Sequence, residues 1–238
     1  MLTLITASKE NYSGLKNIYD EIKTLGKDIF WIIKDTGECI KTNNFFSKLD
    51  DNFITFINTP DDGIYNALNI CLENVKTEWY LTVGSDDILH SEKIAKLLVE
   101  MNNINENLDF MSLPVIIKGK LAYPKYAPEN FSCRRLIVSH SVGLVIKTNL
   151  HKKFGKYSEK YNILSDSLFI DICIKNGAII KFFPFSCVGE FMLNGISSTQ
   201  VKNRIEEAYE YHLEIGYSQL IQKMYRILRL AKFIFLKQ

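Results

Sequence analysis

The feature that most constrains this chain is an alternation running through residues 2–89. Short runs of β-branched and aromatic residues at 2–6, 28–34, 53–57 and 79–83 have the composition of buried strands. Between the first two, Leu15, Ile18, Tyr19, Ile22 and Leu25 recur at helical spacing, with Asn11 or Ser13 as cap and Gly26 as stop. A weaker helix is expected over 42–49 and another from Ile64 to about Val75. Strand and helix in alternation specify a parallel sheet with crossover helices. No GxGxxG follows the first strand, which disfavours a dinucleotide-binding oxidoreductase.

The fourth strand stops at Gly84, and Ser85, Asp86 and Asp87 follow before a helix over 91–101. In open α/β sheets, ligands sit outside the carboxyl ends of the strands. Adjacent carboxylates repel unless a cation joins them, and hard oxygen donors suit Mg²⁺ or Mn²⁺ carrying a substrate's phosphates. The plainer reading is a turn in which one aspartate caps the next helix.

The later half is more mixed. Strands are expected over 110–117 and 121–123, joined through Lys118-Gly119-Lys120, and over 142–146, 179–183 and 188–193. A short helix at 149–154 ends at Gly155, and a longer one runs from Ser165-Asp166 to Asn176 with Gly177 after it. Residues 194–198 read as a polar loop.

With 238 residues, 47% hydrophobic and 24% charged, the chain can bury a sizeable core, and one compact α/β unit is expected. A net charge of +2 gives no nucleic-acid signal. Five cysteines, an odd number without CxxC spacing, argue against a disulfide framework or zinc knuckle and fit a reducing compartment. The start has no basic n-region, so no signal peptide is expected, and no apolar run reaches the ~18 residues of a membrane span.

The positive charge is concentrated at the end: from Gly216 onward there are five basic residues and no acid. Over 217–236, Leu220, Ile221, Met224, Ile227, Leu228, Ala231 and Phe235 fall on one side of a helix, and Lys223, Arg226, Arg229, Lys232 and Lys237 on the opposite half. Such a helix lies on an anionic membrane; the alternative is docking on the body by its apolar face.

Several stretches then share one likeness. They are Leu4-Ile5-Thr6-Ala7 with Asn11, Ile32-Ile33-Lys34-Asp35, Asp62-Gly63-Ile64-Tyr65-Asn66-Ala67-Leu68-Asn69 and Gly84-Ser85-Asp86-Asp87. Ser139-His140-Ser141, residues 153–161, Ser165-Asp166 and Gly195-Ile196-Ser197-Ser198 continue it. In these motifs the chain resembles the family 2 glycosyltransferases of GT-A fold, in particular bacterial enzymes of O-antigen, lipopolysaccharide and other polysaccharide assembly. The resemblance implies a mainly parallel central sheet flanked by helices over residues 1–200. A nucleotide-sugar half would cover 1–90, an acceptor half 91–200, and a helical basic tail 201–238.

It also implies roles. The backbone of Thr6 and Ala7 would edge the nucleotide base, and Asp35 would bind uracil or ribose, since a carboxylate accepts well from an imide N–H or hydroxyls. Asp62 would contact the donor while capping its helix. Asp86 would meet the ribose or donor sugar, and Asp87 would be the direct ligand of Mn²⁺ or Mg²⁺. Asp166 would be the general base, with helix capping as a compatible local role. Ser197, beside Ser198, would belong to a loop closing over the donor phosphates, and His140 would touch acceptor or phosphate. An ordinary strand end at Thr6, a turn aspartate at Asp35, a structural histidine at His140 and a surface turn at Ser197 are the plainer alternatives. Relatives usually follow Asp35 with a second aspartate, where this chain has Thr36-Gly37-Glu38-Cys39-Ile40.

The activity implied is metal-dependent, inverting transfer of a hexose, glucose or galactose favoured, from a UDP-sugar to a lipid-linked saccharide. A GlcNAc-diphosphate-lipid of undecaprenyl type is the first expectation, with the protein cytoplasmic and peripheral on the inner face of the cell membrane. One alternative is a catalytically silent scaffold keeping the fold. Another is a sugar-phosphate nucleotidylyltransferase, which would want a glycine-rich basic loop where Ala7-Ser8-Lys9-Glu10 stands.

Overall fold

A computed structural model describes residues 1–104, 107–126, 136–137, 140–184, 186–193 and 195–235. β1 (Leu2–Ser8) leads into α1 (Tyr12–Ile22), whose cap Asn11 accepts from Gly14 N at 3.1 Å. α1 stops at Ile22, short of Gly26, which takes φ +67° in a 3-10 turn at Gly26–Asp28. β2 (Ile29–Asp35), α2 (Ile40–Phe46), β3 (Ile54–Asn58), α3 (Ile64–Asn74) and β4 (Trp79–Thr82) follow, as the alternation requires. β5 (Ile88–Leu89) and α4 (Ser91–Asn102) come next.

The single strand expected over 110–117 is two: β6 (Phe110–Ser112) and β7 (Val115–Ile117). They part at Leu113-Pro114, where proline has no N–H to give a ladder. β7 pairs antiparallel with β8 (Lys120–Ala122), and β9 (Lys125–Tyr126) with β10 (Leu136–Ile137). β11 (Leu144–Lys147), α5 (Leu150–Phe154), α6 (Ser165–Lys175) and β12 (Ile180–Phe182) lead to β13 (Gly189–Glu190). Of the strand expected over 188–193, only those two residues pair. α7 (Ile196–Thr199), α8 (Val201–Glu214) and α9 (Gln219–Phe235) close the described chain.

The main sheet has seven strands in the order β12-β6-β11-β4-β1-β2-β3. Only β11 is antiparallel to its neighbours, β4 and β6. Successive strand residues face opposite sides. Leu2, Leu4, Trp31, Ile33 and Leu81 therefore pack with α1, Phe46 of α2 and Ile94 and Leu97 of α4. Ile5, Ile32, Tyr80 and Ile146 pack with α3 and with Phe169, Ile170 and Cys173 of α6. Each aliphatic side chain buried this way contributes roughly 1.5–3 kcal/mol. A smaller sheet, β5-β13-β7-β8, stands beside the first.

α8 packs on α6 and the segment before it through Tyr161, Leu168, Ala208 and Tyr211. α9 lies on α8, but with the face opposite to the one hydrophobicity alone selects. Its Gln222 is buried, while Leu220, Met224, Ile227, Leu228 and Phe235 are exposed. The alternative in which the apolar face docks on the body is thereby overturned.

Candidate active site

β1 feeds β2 and β3 on one side and has β4 on the other, so strand order reverses between β1 and β4. A ligand crevice is expected at the carboxyl ends there. Val83 N donates to Ile5 O at 3.0 Å, and the chain turns at Gly84. Asn11 Nδ2 donates to Ser85 O at 2.8 Å and Ser85 Oγ at 3.2 Å, tying this turn to the start of α1. Gly14 lets the two approach: a Cβ there would lie 1.9 Å from Ser85 O.

Asp86 is half-buried at this turn, and Asp87 is 3% exposed. Asp87 Oδ2 accepts from Gly84 N at 2.8 Å and Oδ1 from Met192 N at 3.2 Å. Burial pushes its carboxyl up to about 7, and the charge of Asp86 adds to that; the two amides pull the other way. An ionised carboxylate has about four lone-pair sites. Two amide bonds leave Asp87 able to face a cation as well.

Asp166 sits in the first turn of α6. It is not the cap, a place taken by Leu164. Its Oδ1 accepts from Ser167 N at 2.7 Å and from the Tyr65 hydroxyl at 3.0 Å. That hydroxyl is also 2.7 Å from Ile163 O and shares its one proton between the two. Burial first, and the Asp166 charge second, push the Tyr65 phenol well up, so it remains a donor. The segment before α6 is gripped from α8: the Glu207 carboxylate accepts from Asn162, Ile163 and Leu164 N, each at 2.9 Å.

Asp86, Asp87 and Asp166 line one cavity of about 450 Å³, with Tyr65, His140 and Arg204. His140 stacks on Phe191 at 3.5 Å and 8°. Burial, with the Arg204 charge second, lowers its pKa to about 4. It is thus neutral at ordinary pH, able to hydrogen-bond a hydroxyl but bringing no charge to a phosphate. Arg204, from the first turns of α8, is the cation among the described lining residues.

Thr6, Ala7, Asp35 and Asp62 stand outside this lining. Asp35 is fully buried at the end of β2, its Oδ1 accepting from Gly37 N at 3.0 Å. Its Oδ2 has no partner among the described residues, nor do Ser8 Oγ, opposite it on β1, and Thr36 Oγ1. Buried polar atoms are normally paired, so three orphans at adjacent strand ends point to a ligand edge. The Thr6 hydroxyl accepts from Trp31 Nε1 at 3.0 Å inside the core, and its backbone lies in the ladder opposite Ile33 of β2. Ala7 is half-buried beside it. Asp62 is exposed and does not cap α3; Gly63, at φ +114°, is the cap. Asp61 instead accepts from Gly63 N at 3.1 Å and pairs with the buried Lys34 at 3.0 Å. Ser197 belongs to α7, and its side chain lies outside the described residues.

Tyr65, Arg204 and Glu207 escaped the sequence reading as polar participants. Tyr65 stands inside the Asp62–Asn69 motif, where nothing local marks it as a donor, and the α8 pair carries no motif. Among the described residues no cluster of three or more His, Cys, Asp or Glu could hold a metal. Asp86 and Asp87 nonetheless fit a divalent ion as paired hard donors, with ligand oxygens and water completing its shell.

The comparisons with known proteins agree with this geometry. The model of Glycosyl transferase family 2 matches residues 16–187. No curated protein sequence matches the chain. Among solved structures, S. aureus TarS 1–349 in complex with UDP-GlcNAc is similar at TM-score 0.65 and 15% identity, over 98% of this chain and 71% of that one. The mannosyltransferase PcManGT from Pyrobaculum calidifontis, with GDP-Man and Mn²⁺, gives TM-score 0.67 and 13% identity over 94% and 69%. Glucosyl-3-phosphoglycerate synthase from Mycobacterium tuberculosis, with Mn²⁺, UDP and phosphoglyceric acid, gives 0.62 and 13% over 92% and 79%. At these identities the likeness carries the fold: a GT-A-type α/β sheet flanked by helices.

Proposed function

The chain belongs to glycosyl transferase family 2, and on that premise we propose that it is an inverting, metal-dependent hexosyltransferase of surface-polysaccharide or O-antigen assembly. It takes glucose or galactose from a UDP-sugar and gives it to a GlcNAc or saccharide carried on a lipid diphosphate. The observation that carries this reading is the meeting of Asp86, Asp87 and Asp166 on one cavity, with Asp166 oriented by Tyr65. Residues 1–90 hold the donor and 91–200 the acceptor.

Asp166 takes the proton of the acceptor hydroxyl as that oxygen bonds to the anomeric carbon. The bond from that carbon to the diphosphate oxygen breaks on the opposite face, so the anomeric centre inverts. Such a base is worth ~10²–10⁴ in rate. Asp87 would hold the divalent ion, with Asp86 toward the ribose or donor sugar, and the ion would offset charge on the leaving diphosphate. Arg204 adds a second positive charge at the same cavity. The unpartnered Asp35 oxygen suits the imide N–H of uracil, with the Thr6-Ala7 backbone beside it. Relatives solved with UDP or UDP-GlcNAc support a uridine donor, and their Mn²⁺-bound counterparts support the metal.

The test is a donor screen with Mn²⁺ or Mg²⁺ and a synthetic GlcNAc-diphosphate-lipid, with product read by mass. Transfer from one UDP-hexose, lost with EDTA and in Asp166→Asn, is the expected result. Absence of any UDP binding would overturn it in favour of a silent scaffold.

A further inference from the structure

α9 is amphipathic in sequence but sits inside out. At 100° per residue, Leu220, Ile221, Met224, Ile227, Leu228 and Phe235 form one stripe along it. That stripe faces solvent: Leu220 is 81% exposed, Ile227 58%, Leu228 56% and Phe235 75%. The opposite side meets the body. Gln222 is 3% exposed, Arg226 Nε lies 2.6 Å from Glu206 of α8, and its guanidinium stands over the Tyr209 ring at 5.2 Å. A helix docked for stability alone would hide its apolar side. This one turns a mixed side, with half-buried Leu230 and Phe233 beside Gln222 and Arg226, to the body and keeps its apolar stripe outward.

The charge says what covers that stripe. Lys223 flanks it on one side and Lys232 on the other, and α9 contains no acid. A second copy would bring like charges to both rims. No helix among the described residues is long and apolar enough to cross a membrane. An apolar stripe between cationic rims matches acyl chains beneath anionic headgroups, with the helix in the plane of the surface.

We propose that the outward face of α9 seats this protein on an anionic lipid bilayer, and that α8 fixes the cavity relative to that surface. α8 bears both parts within a single turn: Arg204 lines the cavity, Glu206 holds α9, and Glu207 grips the segment before Asp166. The seating stands on α9 alone; its use in presenting a lipid-linked acceptor rests on the proposed function.

Flotation of the full chain with vesicles tests it, comparing phosphatidylcholine alone with about 30% phosphatidylglycerol. Expected is partition at least about tenfold stronger onto the anionic vesicles, weakening between ~0.1 M and ~0.5 M salt. The triple variant Leu220→Ser, Ile227→Ser, Leu228→Ser should lose binding by about tenfold or more. Lys223→Gln with Lys232→Gln should lose the anionic preference and the salt dependence. All five positions are on the outward side, and circular dichroism checks that the variants fold. Failure of the wild type to float, or a triple variant that floats equally well, overturns the proposal. So does a dimer by light scattering that the triple variant dissolves, without vesicle binding. Transfer to a short-chain, soluble GlcNAc-diphosphate acceptor separates the two readings. A wild type that fails to float but still transfers sinks the seating alone, and a wild type that floats without transfer sinks the chemistry alone.

Discussion

The Tyr65 hydroxyl donates to Asp166 Oδ1 at 3.0 Å, joining the first turn of α3 to the first turn of α6 across 101 residues of sequence. Tyr65 is itself buried and tilted against Tyr157 at 5.7 Å, so its ring cannot swing away. One Asp166 oxygen is thereby held, and the carboxylate has a defined direction into the cavity.

Tyr65→Phe keeps the ring and removes only this donor. Hydrogen bonds to charged groups are worth ~1.5–3 kcal/mol, so kcat should fall roughly 10- to 100-fold. Donor KM should stay near the wild-type value, because Tyr65 orients the base rather than the nucleotide. Steady-state kinetics with varied donor check this; an unchanged kcat would detach Tyr65 from the base.

Glu207→Ala removes the acceptor of three backbone amides ahead of Asp166. Those amides face solvent or stay unpaired, at a cost of about 1–3 kcal/mol in stability. The loop presenting Asp166 loosens, so kcat falls while UDP affinity holds. Urea melts and calorimetric UDP titration read the two effects separately.

Gly14→Ala places a methyl 1.9 Å from a backbone oxygen of Ser85, which has no side-chain freedom with which to yield. The Ser85-Asp86-Asp87 turn must move. The expected loss is in Mn²⁺-dependent UDP binding, larger than the accompanying drop in melting temperature. Equal metal-dependent binding in the variant would show that the turn tolerates displacement.

The sequence made legible what depends on neighbours in the chain. Strand composition and helical period located β1 to β4 and α1 to α4 within a few residues, and the aspartates at Gly84 fell at a strand end because that strand visibly stops there. What it hid depends on distant partners. Nothing local in Glu207 marks it as an acceptor for amides 43 to 45 residues away. The period of α9 defined an apolar stripe but not which side would meet α8, since that turned on Glu206 and Tyr209 meeting Arg226. Asp61 and Asp62 are alike in sequence, yet only Asp61 reaches the buried Lys34. The break at Pro114 was readable in principle, because a residue without an N–H cannot continue a ladder.

His151 supplies a pH dependence of stability. Its Nδ1 lies 3.0 Å from Gly155 O and donates to it, so Nε2 accepts from the Tyr80 hydroxyl at 2.6 Å. Stacked on Phe169 at 4.1 Å, the imidazole is held neutral by burial, and its pKa drops to about 4 from the ordinary 6.5. As pH falls through 6.5 the unfolded chain takes up a proton that the folded one refuses until about 4. His151 therefore costs stability progressively across that window, by at most ~1.4 kcal/mol per pH unit, and has no effect on the slope above it. His140 acts with the same sign. Asp87 opposes both, because a carboxyl raised to about 7 binds its proton more readily in the folded state. The His151 contribution is isolated by comparing urea midpoints of wild type and His151→Asn from pH 7 down to 4. The variant is less stable at neutral pH, where it lacks the Tyr80 and Gly155 bonds, and the gap narrows as the medium becomes acidic. A gap constant across that range would mean that His151 titrates normally in the folded protein.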